Sequence, residues 1–266
     1  MSNSDFDDCA NVIEPFIDAF NTIYMKFAEP NEGIFFTGSI RKLWMYGQSA
    51  LKLAREPCLP NGEQYDFNSI QVISRAVLET AGVFKYIWID SEDKKRKFLL
   101  HYHKMCGLIG RAKVANLNIG NFGKDKLASE QIKIEEMKYL LPTFDFYVNE
   151  LSSDQQKLVF EGKWKMIKKS DLPNVLGFMG SAGQVIYSHQ SDFAHNGFIS
   201  LMQSTQAQDQ KSKELADSAL IPIAICYSVL FEELSEIYPS LKDYINRNQE
   251  FHQAINLFKD LRLSYW

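Results

Sequence analysis

Cysteine is scarce in this chain, and the cysteines that are present are not arranged for metal binding or redox chemistry. The 266 residues include four cysteines, which are Cys9, Cys58, Cys106 and Cys226. No two of them stand at the short spacing of a zinc ligand pair or of a dithiol motif. A zinc ribbon and a thioredoxin-like site are therefore excluded. Unpaired thiols are typical of a reducing compartment, so we predict a cytoplasmic protein.

Motifs that bind nucleotides or cofactors are missing as well. The chain has neither a Walker loop nor a dinucleotide fingerprint. The glycines of the stretch 177–183 lack a preceding strand and a following lysine, so we interpret them as a flexible or closely packed helix junction. Three possible metal ligands are spaced three residues apart, namely His189, Asp192 and His195. They would form only part of the ligand shell of a metal ion. The paired glutamate motif of di-iron bundles is absent, and we predict no metal and no cofactor.

Long hydrophobic runs and β-strand patterns are also lacking. The longest apolar run, 219–231, contains Pro222 and is too short to cross a bilayer. The first residues are polar and acidic, unlike a signal peptide. No segment combines β-branched residues, strict alternation and tight turns. These absences predict no membrane partner and no sheet.

Apolar residues instead recur with helical periodicity along almost the whole chain. This pattern predicts an all-α fold, a multi-helix bundle with peripheral helices. The predicted helices cover about 12–27, 40–54, 68–88, 91–115, 129–142, 185–196, 212–238 and 241–263. Asn68 or Ser69 is expected to cap the third helix. Residues 116–126 and 204–213 are expected to form exposed loops.

The chain shows no boundary between two differently patterned halves. No proline-, glycine- or serine-rich linker interrupts the helical pattern. We therefore predict one domain, 1–266, with a core at about 68–200 and additional C-terminal helices.

Two sets of polar residues stand at helical spacing far apart in the sequence. Arg75 and Glu79 are four residues apart within one apolar run, and Tyr187, Ser191 and His195 follow each other at steps of four. A step of four places side chains on one face of a helix. Polar side chains that face a shared interior need partners, because an unpaired buried polar group is costly. The spacing therefore predicts that the five residues form one polar cluster.

The residue types in this cluster favour cleavage of RNA over hydrolysis by a serine nucleophile. A hydrolase would place its serine in a Gly-x-Ser-x-Gly turn, whereas Ser191 falls within a predicted helix. In RNA cleavage the 2′-hydroxyl attacks its own phosphate, so the protein needs no nucleophile. His195 would move the proton and Arg75 would neutralise charge on the phosphate. Glu79 would fix the guanidinium, and Ser191 and Tyr187 would assist.

A structural role for the same five side chains is the alternative. Arg75 and Glu79 would then pair across a bundle, and Tyr187, Ser191 and His195 would complete a closed hydrogen-bond network. Such a polar lock belongs to a non-enzymatic interaction or regulatory protein.

Two basic stretches are candidates for a nucleic-acid interface. The candidate residues are Lys94, Lys95, Arg96, Lys97, Lys163 and Lys165. Basic patches can hold phosphates, although solvated helix faces carry the same composition. Trp164, which lies between two of these lysines, is a candidate for exposed stacking. RNA is therefore a predicted partner.

The order of the polar residues resembles a group of uncharacterised bacterial helical proteins known as a domain of unknown function. The matching positions are Arg75, Glu79, Trp164, Tyr187, Ser191 and His195. This resemblance implies an all-helical fold and no established activity.

The chain is more loosely similar to the HEPN superfamily of helical bundles. Many of these proteins are metal-independent RNases in toxin and antiviral systems, with an arginine shortly before a histidine. His195 stands for that histidine, while 188–192 reads Ser-His-Gln-Ser-Asp and contains no arginine. Arg75 would supply the cation from another helix. The likeness implies a ribonuclease and a homodimer, whereas a different protein partner belongs to the interaction or regulatory alternative.

Overall fold

The structure is a computed structural model that describes residues 9–27, 33–58, 64–115, 121–178, 182–195, 197–207 and 209–264. Every regular element in these ranges is helical, which confirms the predicted all-α class. The helices are α1 Cys9–Phe27, α2 Gly33–Arg55, α3 Phe67–Phe84, α4 Asp93–Ala115, α5 Asn121–Leu140, α6 Asp145–Glu150, α7 Ser153–Phe160, α8 Leu172–Val175, α9 Ala182–Ala194, α10 Phe198–Gln206, α11 Asp209–Ile237, α12 Pro239–Arg247 and α13 Gln249–Ser264.

The helices group into two compact units. The larger unit comprises Met1–Ile89 together with Lys169–Trp266, and the smaller unit comprises Asp90–Lys168. A compact group is not yet an independently folding domain. One domain over 1–266 therefore stays a prediction.

Helix α11 runs through the core of the larger unit. It contains Tyr227 and Phe231, which are fully buried against Phe16 and Phe20 of α1. The Tyr227 hydroxyl donates a hydrogen bond of 2.6 Å to the carbonyl oxygen of Leu43 in α2. The segment Lys211–Ile237 is long and apolar enough to span a membrane by length and composition, but 72% of its most apolar window is buried inside the protein. Such burial is typical of a helix in the centre of a protein core.

Helix α3 lies between α2 and α11 and carries the first half of the polar cluster. Asp66 caps it, because its side chain accepts a 3.0 Å hydrogen bond from the Ser69 amide. The predicted cap, Asn68 or Ser69, was therefore wrong by two or three residues. At its other end α3 continues into a π-helical turn, Lys85–Ile89. The full helical stretch thus ends one residue beyond the predicted Trp88.

The smaller unit is built on the hairpin of α4 and α5 with a layer of aromatic rings against it. Trp164 is part of that layer, because its ring contacts those of Phe98, Tyr102 and Phe146. Tyr102 also donates a 2.7 Å hydrogen bond to the Trp164 carbonyl oxygen. The expectation of an exposed stacking role for Trp164 is therefore not supported, and packing accounts for the residue.

Two segments expected to be loops are largely helical. Residues 121–126 open α5, although 116–120 lie outside the described residues. α10 extends to Gln206 and α11 starts at Asp209, so most of 204–213 is helix.

The C-terminal region beyond residue 212 contains three helices, whereas two were predicted. Asn248, which separates α12 from α13, breaks the continuous stretch that the apolar pattern suggested.

Candidate functional site

Helix α3 presents Arg75 and Glu79 on one face. They are separated by one helical turn, and the Arg75 Nε–H donates to Glu79 Oε1 over 3.2 Å. The predicted i, i+4 pair is therefore present. Because Glu79 binds the guanidinium through Nε, both terminal nitrogens of Arg75 are available to bond other partners.

Helix α9 supplies the second half of the cluster. Tyr187 and Ser191 lie within α9, and His195 follows its last residue, Ala194, in the turn before α10. The Ser191 hydroxyl donates to the Tyr187 carbonyl oxygen at 2.6 Å. This bond keeps the hydroxyl on its own helix, so Ser191 is not arranged as a nucleophile with His195 as its base.

Arg75 joins the two helices. Its Nη2 donates to the Tyr187 hydroxyl over 3.1 Å, and its Nη1 lies 3.3 Å from His195 Nε2. The guanidinium carbon also lies 4.9 Å from the centre of the Tyr187 ring, which is a cation–π distance. Arginine has only donors. The contact with His195 is therefore a hydrogen bond only when Nε2 carries a lone pair and the ring proton sits on Nδ1.

Glu79 accepts hydrogen bonds from three different side chains. Tyr187 donates to Oε1 over 3.1 Å, beside the bond from Arg75, and Lys169 donates to Oε2 over 2.8 Å. Glu79 has no hydrogen bond or ion pair with His195 among the described residues, and the side chain within hydrogen-bond distance of the imidazole is that of Arg75. The carboxylate therefore orients the arginine rather than the histidine.

Lys169 is the site residue that the sequence did not assign. It belongs to a basic stretch but lies 90 residues from Glu79, outside both helical spacing patterns. Its side chain is mostly exposed. It therefore gives the cluster a second cation that remains accessible to an anion in solution.

A buried polar pair lies directly behind the cluster. The Gln190 side-chain amide donates to Ser74 Oγ over 2.7 Å, and both residues are almost completely buried. Ser74 precedes Arg75 on α3, and Gln190 precedes Ser191 on α9. Sliding one helix along the other would leave both groups buried without partners, which is unfavourable. This pair therefore helps to fix the register that brings Arg75 to His195.

The cluster is open to solvent on the His195 side. The side chains of Arg75 and Glu79 are 16% and 25% exposed, Tyr187 and Ser191 are half-buried, and His195 is exposed. A fully enclosed lock would leave none of these groups accessible. The structure thus places a carboxylate-bound guanidinium and an imidazole together at the protein surface.

The surroundings of Glu79 favour its charged form. Burial on its own raises the pKa of the Glu79 carboxyl, but hydrogen bonds from Lys169, Tyr187 and Arg75 together outweigh burial and lower the pKa below its ordinary value of 4.5. A carboxyl whose pKa is lowered on folding stabilises the folded state above its unfolded pKa. That contribution is lost as the pH falls through the lowered value.

We expect Glu79→Gln to reduce the free energy of unfolding by about 1–2 kcal/mol near neutral pH, because charge-assisted hydrogen bonds become neutral ones. The difference between wild type and variant should shrink as the pH falls through the lowered pKa of Glu79, where the carboxyl of the folded wild type itself becomes protonated. Urea denaturation at several pH values measures both effects. Glu14→Gln, which weakens the exposed pair with Arg55, is the control and should have a much smaller effect. An equal difference at all pH values would contradict the assigned role of the Glu79 charge.

The predicted nucleic-acid-binding residues all belong to the smaller unit. Three of the lysines are paired with acidic side chains: Lys94 with Asp145 at 3.0 Å, Lys97 with Asp93 at 2.8 Å and Lys163 with Glu161 at 2.7 Å. The other three candidates have different surroundings. Lys95 lies over the Phe146 ring, and Arg96 donates a hydrogen bond to the Ser91 carbonyl oxygen. Lys165 is exposed to solvent. Pairing with carboxylates lowers the net positive charge, so the role of these residues in binding RNA stays a prediction.

The three possible metal ligands named above, His189, Asp192 and His195, are not grouped as a metal site in the described structure. Within the described part of the chain no three His, Cys, Asp or Glu side chains are grouped as metal ligands. The His189 ring packs against Phe193, and an Asp192 carboxylate oxygen accepts a 2.9 Å hydrogen bond from the Ser200 amide. Asp192 therefore stabilises the turn that connects α9 to α10.

Comparisons of the chain with protein-family models, with curated proteins and with solved structures found no match. The function of the cluster must therefore be inferred from its own chemistry.

Proposed function

We propose that this chain is a HEPN-like, metal-independent ribonuclease or a related RNA-directed effector, of the kind used in bacterial antiviral defence or toxin systems. The observation that carries the proposal is the 3.3 Å contact between Arg75 Nη1 and His195 Nε2 at a solvent-accessible site. A base and a cation side by side are what cleavage of RNA by its own 2′-hydroxyl requires. Location in the cytoplasm and assembly as a homodimer belong to the same proposal.

The proposed reaction assigns the proton and the charge to different residues. When RNA binds, Arg75 Nη1 turns from His195 to the phosphate and releases the lone pair of His195 Nε2. His195 Nε2 then takes the proton from the 2′-hydroxyl as the O2′–P bond forms and the P–O5′ bond breaks. The leaving 5′-oxygen receives a proton in return from the imidazolium. The products are a 2′,3′-cyclic phosphate and a 5′-hydroxyl. Arg75, whose remaining N–H groups are not used within the cluster, stabilises the charge on the non-bridging phosphate oxygens.

The other residues of the cluster position these two groups. Glu79 and Tyr187 hold the guanidinium by its Nε and Nη2. Lys169, which is exposed and bonded to Glu79, is able to turn towards a phosphate and adds positive charge. Ser191 assists only through the Tyr187 backbone, since its hydroxyl donates to that carbonyl.

The direct test of this proposal changes the substrate rather than the protein. Purified protein is incubated in EDTA with a labelled mixed-sequence RNA and with the same RNA carrying 2′-O-methyl groups. We expect cleavage of the unmodified RNA only, with cyclic phosphate ends, because methylation removes the attacking hydroxyl. Cleavage of both substrates would contradict the mechanism, and cleavage of neither would contradict the proposed activity.

A polar lock in a non-enzymatic interaction or regulatory protein is the second candidate. It is favoured by the number of hydrogen bonds within the cluster, since Glu79 accepts from three donors and Arg75 contacts three partners. Such a network would hold α3 against α9 without any substrate. The candidate predicts that wild-type protein shows no turnover, while substitutions in the cluster still lower stability.

A further inference from the structure

A small cleft lies where α11, α12 and α13 meet in the larger unit. It encloses about 160 Å³ and is partly open to solvent. Its floor is apolar, because Ile245 of α12 and Ile255 of α13 line it and both are almost completely buried. Charged and amide side chains form its rim. An apolar base with a few polar groups at the mouth is the usual composition of a small-molecule site.

One ion pair on the rim of this cleft already has all its partners. Glu232 of α11 accepts a hydrogen bond from Lys259 of α13 through Oε1, and Arg262 Nη2 lies 3.7 Å from its Oε2. Both carboxylate oxygens therefore face a cation. These contacts connect α11 to α13 and need no ligand, so we assign Glu232 a structural role in the wall of the cleft.

A second ion pair lies at the mouth of the cleft and is far more exposed. Lys242 Nζ of α12 donates to Glu236 Oε1 of α11 over 2.9 Å, and the two side chains are 52% and 69% exposed. An ion pair this exposed contributes little to stability, so the two groups can separate readily. Asn246 lines the same cleft with an amide that both donates and accepts. The mouth thus presents a carboxylate and an ammonium group side by side.

This combination of charges restricts what the cleft can bind. A simple anion is repelled by Glu236, and a simple cation is repelled by Lys242. A zwitterion avoids both repulsions, because its ammonium group pairs with the carboxylate and its carboxylate pairs with the lysine. One exposed ion pair is then exchanged for two pairs with the ligand. An apolar cavity of about 150 Å³ is large enough for a benzene molecule, so the cleft has room for a small aliphatic side chain.

We propose that the cleft binds a free aliphatic α-amino acid. Its α-ammonium group would pair with Glu236, its α-carboxylate with Lys242, and its side chain would cover Ile245 and Ile255. The two charges of an α-amino acid are separated by one carbon atom, which suits two protein charges that are direct neighbours. Because the charged groups stay at the solvent-exposed mouth, the dissociation constant should be on the order of 0.1–1 mM. The proposal does not depend on ribonuclease activity, since the cleft and the polar cluster share no residue.

Isothermal titration calorimetry of the full-length protein tests this site with L-leucine as the probe. We expect saturable binding of L-leucine. Isocaproate, which lacks the ammonium group, and isoamylamine, which lacks the carboxylate, should each bind about tenfold more weakly or worse. Glycine carries both charges but would leave the two isoleucines uncovered, so its binding should be reduced by about the same factor.

Two substitutions at the mouth test the assigned contacts. Glu236→Gln and Lys242→Met each remove one charge and keep the length of the side chain, and each should weaken L-leucine binding about tenfold or more. Both residues are exposed, so the variants should fold, which urea denaturation verifies. Glu56→Gln and Lys52→Met are the matched controls, because this pair on α2 is also exposed and lies outside the cleft. The controls should bind L-leucine like the wild type.

Several results would overturn the proposed site. Wild-type protein that shows no saturable binding of L-leucine up to about 10 mM does not contain it. Isocaproate that binds as tightly as L-leucine would make the ligand a simple carboxylate instead of a zwitterion. Unchanged binding in Glu236→Gln or Lys242→Met, or an equal loss in the two α2 controls, would show that L-leucine binds elsewhere on the protein.

Discussion

Arg75→Ala is expected to abolish most RNA cleavage and to destabilise the protein at the same time. Removal of the cation at the developing charge should lower the cleavage rate by about 10²–10³-fold. The same change removes three contacts, to Glu79, Tyr187 and His195. Glu79 would keep Lys169 as a partner. We therefore expect a loss of about 1–3 kcal/mol in the free energy of unfolding, less than for a fully buried pair.

Arg75→Lys separates the two consequences. A lysine keeps the positive charge near Glu79 but has a single ammonium in place of the planar fork, so it is unable to reach Glu79, Tyr187 and His195 together. Cleavage should remain low, while part of the stability returns. Cleavage is measured on labelled RNA in EDTA, and stability by urea denaturation of the same samples.

Arg55→Ala is the control for the loss of an arginine–glutamate pair as such. Arg55 bonds to Glu14 at 2.7 Å, but both side chains are far more exposed than Arg75 and Glu79. An exposed pair contributes about 1 kcal/mol or less, and the pair lies outside the polar cluster. Full cleavage activity in Arg75→Ala would refute the role of the guanidinium, whereas an equal loss in Arg55→Ala would show that general destabilisation is responsible.

Helical spacing was sufficient to predict that Arg75 and Glu79 of α3 meet Tyr187 of α9, but it predicted neither the Ser74–Gln190 pair between the same helices nor the bond of Ser191 to its own helix. Arg75 and Glu79, or Tyr187 and Ser191, share a helix face by spacing alone, and polar groups on apolar helices must pair with each other. The same reasoning did not identify their connections. It left the partner of His195 open, whereas the structure connects the histidine to Arg75. Spacing determines the face of a helix, but the rotation between two helices determines which atoms bond.

Features that depend on tertiary contacts could not be predicted from the sequence. Lys169 reaches Glu79 because the segment before α8 folds back onto α3, and no local pattern encodes that return. Residues around Ser204 have the composition of a loop, yet the Ser204 hydroxyl bonds to Asn68 of α3 and the Ser200 amide bonds to Asp192 of α9, and both bonds hold α10 in place. Helix propensity is a weak prior that such contacts override.

His195→Ala is expected to reduce RNA cleavage about a hundredfold or more while leaving stability almost unchanged. The reduction follows from the loss of the group that accepts the 2′-hydroxyl proton. Stability should be preserved because His195 is exposed, follows the last residue of α9 and makes one side-chain hydrogen bond, to Arg75. This combination distinguishes the two candidate functions, since a member of a structural lock affects stability first. Single-turnover cleavage of labelled RNA, together with urea denaturation, measures both quantities.

His252→Ala is the matched control for His195→Ala. His252 is also exposed, and its Nε2 lies 3.4 Å from one side chain, Asn256, on the same helix α13. The two substitutions therefore remove similar contacts, but only His195 lies beside a guanidinium. A hundredfold loss in His195→Ala with unchanged cleavage in His252→Ala would assign the proton transfer to His195. Wild-type cleavage that persists in His195→Ala would mean that another group accepts the proton, and the contact between Arg75 and His195 would then act only to join α3 to the end of α9.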